Sequence, residues 1–297
     1  MAVSAAIIGC SGFRFKNIYL PILKKNKRKI KILQVFNRTP EAAINVAKQL
    51  NCKIAEDVNE IFSNKLIKVV FFIVPKKARD FYFNNKNLKN KIVVTEVPVV
   101  TNILEYFFYK KKISKKKINL YVFEDRYYIY KDLFKKIKNN ISELKIINLE
   151  WMHHAFGCMS AIRNIVGNIK KVHYIKNNIS DYFLIYYQKL IFHYVFTNIK
   201  KSAKRSLGRL ELTPLKKNFK KIIIQKVISK KAKINSFESF LNKNYINFIK
   251  NKRDKYFTEN LKQEAFFVTI VKIHKKIRFQ IFAKLITLFL IKTQKYI

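Results

Sequence analysis

Five short apolar runs, separated by segments of helical period, most constrain how this chain can fold. They are AAII ending at Gly9, KIKILQVF (Lys29–Phe36), IKVVFFIV (Ile67–Val74), KIVVTE (Lys91–Glu96) and INLYVFE (Ile118–Glu124). Each is β-branched or aromatic and apolar on both faces, as strands of a buried parallel sheet are. Between them the period changes. In TPEAAINVAKQL, Thr39 is placed to cap, Pro40 suits the first helical position, and Ala43, Val46, Ala47 and Leu50 share one face. In EDVNEIFSN, Asp57 and Glu60 have capping-box spacing. Pro21, inside KNIYLPILKKN, predicts a kinked helix or marks the true helix start. Strands alternating with helices predict right-handed βαβ units and a doubly wound α/β domain. The expected division is 1–123 for this domain and 124–297 for a second.

On such a sheet, ligands bind at the carboxyl ends of the strands. Four loops lie there: Gly9–Arg14, Asn37–Thr39, Val74–Lys77 and Glu96–Pro98. The candidate dinucleotide-binding residues are therefore Gly9, Ser11, Gly12, Asn37, Arg38, Thr39, Val74, Pro75, Glu96 and Pro98. A full fingerprint reads G-x-G-x-x-G, so that backbone N–H groups can approach a pyrophosphate at a helix N-terminus. Here Gly9 satisfies the first position, Ser11 and Arg14 replace the other two glycines, and Gly12 comes one position late. That spacing predicts a loop one residue longer than usual. Taken alone, the turn is equally well explained as a structural βα turn. At the end of the second strand an acidic residue would accept from a ribose 2′-hydroxyl. Asn37 is neutral and Arg38 follows it, which favours a 2′-phosphate and hence NADP, with NAD the alternative.

Composition narrows the partners. Basic residues number 62 against 18 acidic, a net charge of +44. Lysine dominates, alongside Asn, Ile, Phe and Tyr, while Gly and Pro number 5 each. Those favoured residues are the ones AT-rich codons encode. Sequence-specific nucleic-acid readers lean on arginine, and the lysines here run along the whole chain, so base-biased drift explains the charge better than a nucleic-acid partner. The 3 cysteines, Cys10, Cys52 and Cys158, are scattered and fit neither a disulfide framework nor a zinc site. No apolar run approaches the roughly 20 residues of a membrane span. The start MAVSAAIIGC lacks a signal-peptide pattern, so a cytoplasmic location is expected.

The motifs IIGCSGF…YLPIL, VFNRTPEAAINVAKQL, FFIVP and VVTEVPV, in this order, resemble the Gfo/Idh/MocA family of NAD(P)-dependent oxidoreductases. The resemblance is strongest from Ile7 through Val99 and continues more weakly in EWMHHAFGCMSAIRNIVGNIKKV and SLGRLELTP. It implies an N-terminal Rossmann domain followed by a C-terminal α+β domain with an open, mostly antiparallel sheet. It implies substrate bound between that sheet and the nicotinamide, homo-oligomers formed through the sheet, and hydride transfer to a small carbonyl, imine or related substrate. The family's usual Glu-Lys-Pro is here Glu96-Val97-Pro98. Valine cannot donate a proton. The loss shifts the expected substrate away from sugars and toward an imine or carbonyl.

With the lysine gone, His154 and then His153 are the candidate proton donors, since they follow the apolar run LKIINLEWM. A structural role for one of them remains the alternative. In EDRYYIY, Arg126 is a candidate anchor for a substrate carboxylate, beside Asp125, Tyr127 and Tyr128, although an Asp–Arg pair opening a helix explains it too. Arg163 is open to the same two readings. No metal site is expected: H-E-x-x-H, C-x-x-C and G-x-x-x-x-G-K-[ST] are all missing from the sequence, as is a nucleophile elbow. The leading expectation is an NADP-dependent reductase in a biosynthetic pathway. The alternatives are a Rossmann protein that has lost turnover and a basic nucleic-acid binder.

Overall fold

The computed structural model describes residues 2–97, 99–100, 102–125, 127–129 and 230–252 with their side chains. It describes the strands between residues 144 and 227 by backbone alone. In the first sheet the strands are β1 (Val3–Ile8), β2 (Ile30–Phe36), β3 (Lys53–Ile54), β4 (Val69–Phe72), β5 (Ile92–Glu96) and β6 (Asn119–Phe123). They lie in the order β3-β2-β1-β4-β5-β6, and every pairing is parallel. The five apolar runs are thus five strands of one doubly wound sheet. The short β3 follows helix α2 (Pro40–Leu50) without an apolar run to announce it.

Both faces of the sheet are buried, and the two-residue period assigns each side chain to one of them. Ala5 and Ile7, Val69 and Phe71, Ile92 and Val94, and Tyr121 and Phe123 fall in one core. Ala6 and Ile8, Val70 and Phe72, Val93 and Leu120 fall in the other. The first core takes α1 (Leu20–Lys25), α2 and α6 (Lys230–Ile249). The second takes α3 (Val58–Ser63), α4 (Lys76–Asn84) and α5 (Ile103–Lys115). Burial on both faces, interrupted by exposed Lys31 on β2 and by the exposed β3, explains why the other strands read as continuous apolar runs.

Helix starts follow the sequence signals with two differences. Thr39 is the N-cap of α2 but its side chain makes no capping hydrogen bond. Pro40 follows it, and with no N–H it leaves one fewer donor to satisfy. Asp57 caps α3 by accepting from the Glu60 N–H at 2.9 Å. The reciprocal bond is shifted by one residue: Glu60 Oε2 accepts from the Glu56 N–H at 2.9 Å rather than from that of Asp57. The other oxygen of Glu60 is held by Gln34 on β2. That contact fixes α3 against the sheet and decides which way the carboxylate reaches.

Residues 230–252 lie beyond the expected boundary at 123/124, yet the apolar face of α6 lies in the first core. The Phe237 ring sits 4.2 Å from Tyr19, 5.2 Å from Phe123 and 6.3 Å from Phe71. Past the helix, Asn119 Nδ2 donates to the Asn251 carbonyl at 2.9 Å, and the Tyr121 hydroxyl to that of Lys252 at 2.5 Å. Lys25 pairs with Glu238 at 2.8 Å. The chain therefore returns to the first sheet after the intervening strands.

Those strands are β7 (Leu144–Trp151), β8 (Lys171–Lys176), β9 (Ser180–Tyr186), β10 (Ile191–Thr197), β11 (Leu207–Pro214) and β12 (Ile222–Val227). They form a second sheet in the order β12-β11-β7-β10-β9-β8. The β7–β10 pair is parallel and the other four pairs are antiparallel.

Candidate functional site

The carboxyl ends of β1, β2, β4, β5 and β6 share one edge of the first sheet, and the chain reverses its strand order between β1 and β4. That edge is where an open α/β sheet leaves a crevice. Gly9 ends β1 with φ +90°. A Cβ there would lie 2.4 Å from Val74 Cγ1 and 2.6 Å from the Ile73 carbonyl oxygen, so backbone angle and crowding both require glycine. Gly12 is different: a Cβ there meets nothing within 4 Å. The protein around Gly12 imposes no need for glycine, and the space above it is open.

The turn is held at both ends. At its start, the Cys10 N–H donates to Asn37 Oδ1 at 2.9 Å, while Asn37 Nδ2 donates to the Thr39 carbonyl at 3.1 Å. At its end, Arg14 Nε donates to Glu96 Oε1 at 2.7 Å, and Nη1 reaches Asp125 Oδ2 at 3.3 Å. Between these anchors Ser11, Gly12 and Phe13 are exposed, Phe13 by 73%. The first helical bond runs from Lys16 N–H to the Gly12 carbonyl at 3.2 Å. The amides of Phe13, Arg14 and Phe15 therefore precede the helical ladder, the arrangement that receives an anion at a helix N-terminus.

The helix that follows the turn opens with an irregularity. Phe15–Tyr19 form a π turn, in which the Leu20 N–H bonds to the Phe15 carbonyl five residues back. A π turn holds one residue more than an α turn. Pro21 follows at the start of α1 and has no N–H to return to Asn17. Pro21 thus lies inside a helical run that begins at Phe13, directly after its π turn and at the first positions of α1.

Glu96 is the centre of the edge. The Tyr19 hydroxyl also donates to its Oε1, at 2.5 Å. From the other face of the sheet, buried Arg79 donates through Nη1 to the Glu96 carbonyl at 2.7 Å and to Thr95 Oγ1 at 3.0 Å. Burial alone would lower the Arg14 pKa, but Glu96 and then Asp125 outweigh it, and the guanidinium is held above its ordinary value. Burial first, and the Glu96 charge second, push the Tyr19 phenol well above its usual range, so it stays a donor. Asp125 is paired with Arg14; its sequence-suggested partner Arg126 lies outside the described residues.

Of the sequence candidates, Gly9, Ser11, Gly12, Asn37, Val74, Pro75 and Glu96 gather at this edge. Thr39 is exposed beside them. Arg38 is exposed too, and its charge acts on the Tyr82 phenol of α4 against the upward push of burial. Pro98, Arg126, His153 and His154 lie outside the described residues, as does Arg163. Sequence reading missed Arg79 entirely and took Arg14 only as a misplaced glycine position. The available signal was residue type: arginine is the scarce base in this chain, and its planar fork suits paired acceptors.

Burial, chiefly, pushes the Cys10 and Cys52 thiols up to about 11, which disfavours the reactive thiolate at neutral pH. Iodoacetamide at that pH should leave the Cys10 and Cys52 peptides of the folded protein unmodified over a period that fully labels them in urea. Peptide mass spectrometry reads the outcome, and rapid labelling of folded Cys10 would contradict its burial.

Residues 3–123 match the model of an oxidoreductase family with an NAD-binding Rossmann fold. No curated protein sequence matches the chain significantly. Among solved structures, the fold is similar to that of myo-inositol 2-dehydrogenase from Lactobacillus plantarum, at 12% identity and a TM-score of 0.73, over 90% of this chain and 95% of that one. It is similar to myo-inositol dehydrogenase from Lactobacillus casei in complex with NAD(H) and myo-inositol, at 11% identity and a TM-score of 0.72, over 91% and 94%. It is also similar to an oxidoreductase from Thermotoga maritima, at 15% identity and a TM-score of 0.68, over 90% and 95%. At these identities the likeness is one of fold. Among the described residues no helix is long and apolar enough to cross a membrane.

Proposed function

We propose, from the premise that residues 3–123 form the NAD-binding Rossmann domain of the Gfo/Idh/MocA oxidoreductase family, that the chain is an NADPH-dependent reductase of a small carbonyl or imine substrate. The observation that carries this reading is the turn Cys10–Phe13, anchored at both ends and open above Gly12. The helix N-terminus behind it offers amides to a pyrophosphate. Bound there, a nicotinamide dinucleotide supplies the hydride chemistry. The chain's own residues bind and orient it. Asn37 is neutral and its carboxamide is engaged with Cys10 and Thr39, so no carboxylate stands ready for a ribose 2′-hydroxyl at that position. Arg38 is exposed beside it and supports a 2′-phosphate, with NAD as the second choice.

Val97 can move no proton, so the proton must come from elsewhere. His154, with His153 next, is proposed for that role, since β7 ends at Trp151 just before the pair. Arg126 is proposed to anchor a substrate carboxylate, following Asp125 at the end of β6. The sheet β7–β12 is proposed as the second domain's substrate-facing and subunit-joining surface, which would make the protein a homo-oligomer.

Titrating NADPH and NADH against the purified chain, followed by nicotinamide fluorescence, tests the reading. NADPH is expected to bind with a Kd in the micromolar range or tighter. Arg38→Ser should weaken NADPH about tenfold, the effect of losing one charge-assisted pair, and leave NADH unchanged. Equal binding of the two nucleotides by the wild-type chain would overturn the NADP assignment. Binding of neither would overturn the dinucleotide site.

A further inference from the structure

The geometry points to Arg14 as a positioning residue that orders the turn Cys10–Phe13 by tying its end to Glu96 and Asp125. Ser11, Gly12 and Phe13 are exposed, so no packing of their side chains holds them. A segment without such packing stays ordered only if its ends are fixed, because ordering costs conformational entropy. The start is fixed by the Cys10 N–H on Asn37. The end is held by the first helical bond, Lys16 N–H to the Gly12 carbonyl at 3.2 Å, by Asn17 Nδ2 on the Phe13 carbonyl at 2.9 Å, and by Arg14, whose fork alone ties this end to the sheet through two carboxylates, at 2.7 Å and 3.3 Å. Lysine has no such fork and cannot span both in the same way.

The anchor itself is tied from both faces of the sheet. Glu96 closes β5, and its Oε1 also accepts from Tyr19, which is 1% exposed. Its carbonyl accepts from Arg79, which is 3% exposed and approaches from the opposite face of the sheet. In a lysine-dominated chain, two of the few arginines thus converge on one glutamate. Arg14 stands where the fingerprint places a glycine, and its side chain supplies the order that the altered loop would otherwise lack. Its effect on affinity rests on reading the turn as a dinucleotide cradle; its effect on order does not. A ligand meeting an ordered turn loses less entropy on binding.

Two readouts on the full chain test this. Backbone ¹⁵N order parameters of Ser11–Phe13 in the free protein should fall from about 0.85, the rigid range, to below about 0.6 in Arg14→Met. In the same variant, the Kd for NADPH or NADH should rise about tenfold. Arg14→Lys should fall between, and it carries the comparison if Arg14→Met does not fold. Lys91→Met is the control. Lys91 lies at the other end of the same strand, where its Nζ donates to the Asn64 and Ile67 carbonyls at 2.6 Å and 2.7 Å. That variant should melt at a lower temperature and leave both readouts unchanged. Order parameters unaltered in the Arg14 variants would overturn the inference. Failure of the wild-type chain to bind either nucleotide would overturn the cofactor reading alone, with the order parameters still deciding the role of Arg14.

Discussion

Gly9→Ala should cost about 2–5 kcal/mol of stability, the sum of an L-residue forced to positive φ and a crowded Cβ. Both causes are explicit at this position: φ is +90°, and the new methyl would sit 2.4 Å from Val74 Cγ1 and 2.6 Å from the Ile73 carbonyl oxygen. Backbone oxygen cannot move aside without disturbing the end of β4, where Ile73, just past the strand, donates its N–H to the Ile8 carbonyl at 2.9 Å. Urea unfolding reads the loss directly. Gly12→Ala provides the contrast. Its methyl meets nothing, so stability should change by less than about 0.5 kcal/mol. Its dinucleotide affinity should nonetheless fall, since the methyl would occupy the space a phosphate approaches. A large stability loss at Gly12, or none at Gly9, would reverse the roles assigned to the two glycines.

Phe237→Ala should be comparably severe, at about 3–5 kcal/mol. The ring is fully buried and touches residues from four elements: Tyr19 of the π turn, Phe71 of β4, Phe123 of β6 and Phe240 of its own helix. Against a typical total of 5–15 kcal/mol, that is a large fraction of what holds the fold together. The loss should appear in denaturant unfolding. It should also appear as faster amide exchange in β6, where Tyr121 packs on Phe248 with ring centroids 5.0 Å apart. A cost below about 1 kcal/mol would mean that α6 does not complete this core.

These two positions differ in how far the sequence revealed them. Gly9 stood out because a glycine between an apolar run and a helical segment has a local meaning. Phe237 did not, because its neighbours in sequence say nothing about a sheet more than 100 residues earlier. Periodicity placed α2 and the five apolar strands closely. It missed β3, where two exposed residues, Lys53 and Ile54, pair with β2 and carry no apolar pattern. The late Gly12 suggested a longer loop, and nothing in the sequence signalled the π turn at Phe15–Tyr19 that follows it.

The sequence by itself determined the doubly wound sheet, the edge where its loops meet and the glycine that turns the chain there. Each of these follows from burial on two faces at a two-residue period, or from a backbone angle, and both are local properties. Only the tertiary structure decided the partners. Arg14 meets Glu96 across 82 residues and Asp125 across 111. Asn119 meets Asn251 across 132. A guanidinium carries the same charge wherever it lies, and nothing in its sequence neighbourhood specifies which carboxylate it will face. Folding settled that by burying Tyr19 and the end of β5 together, which left Glu96 and Asp125 within reach of one arginine and turned a missing glycine into an anchor.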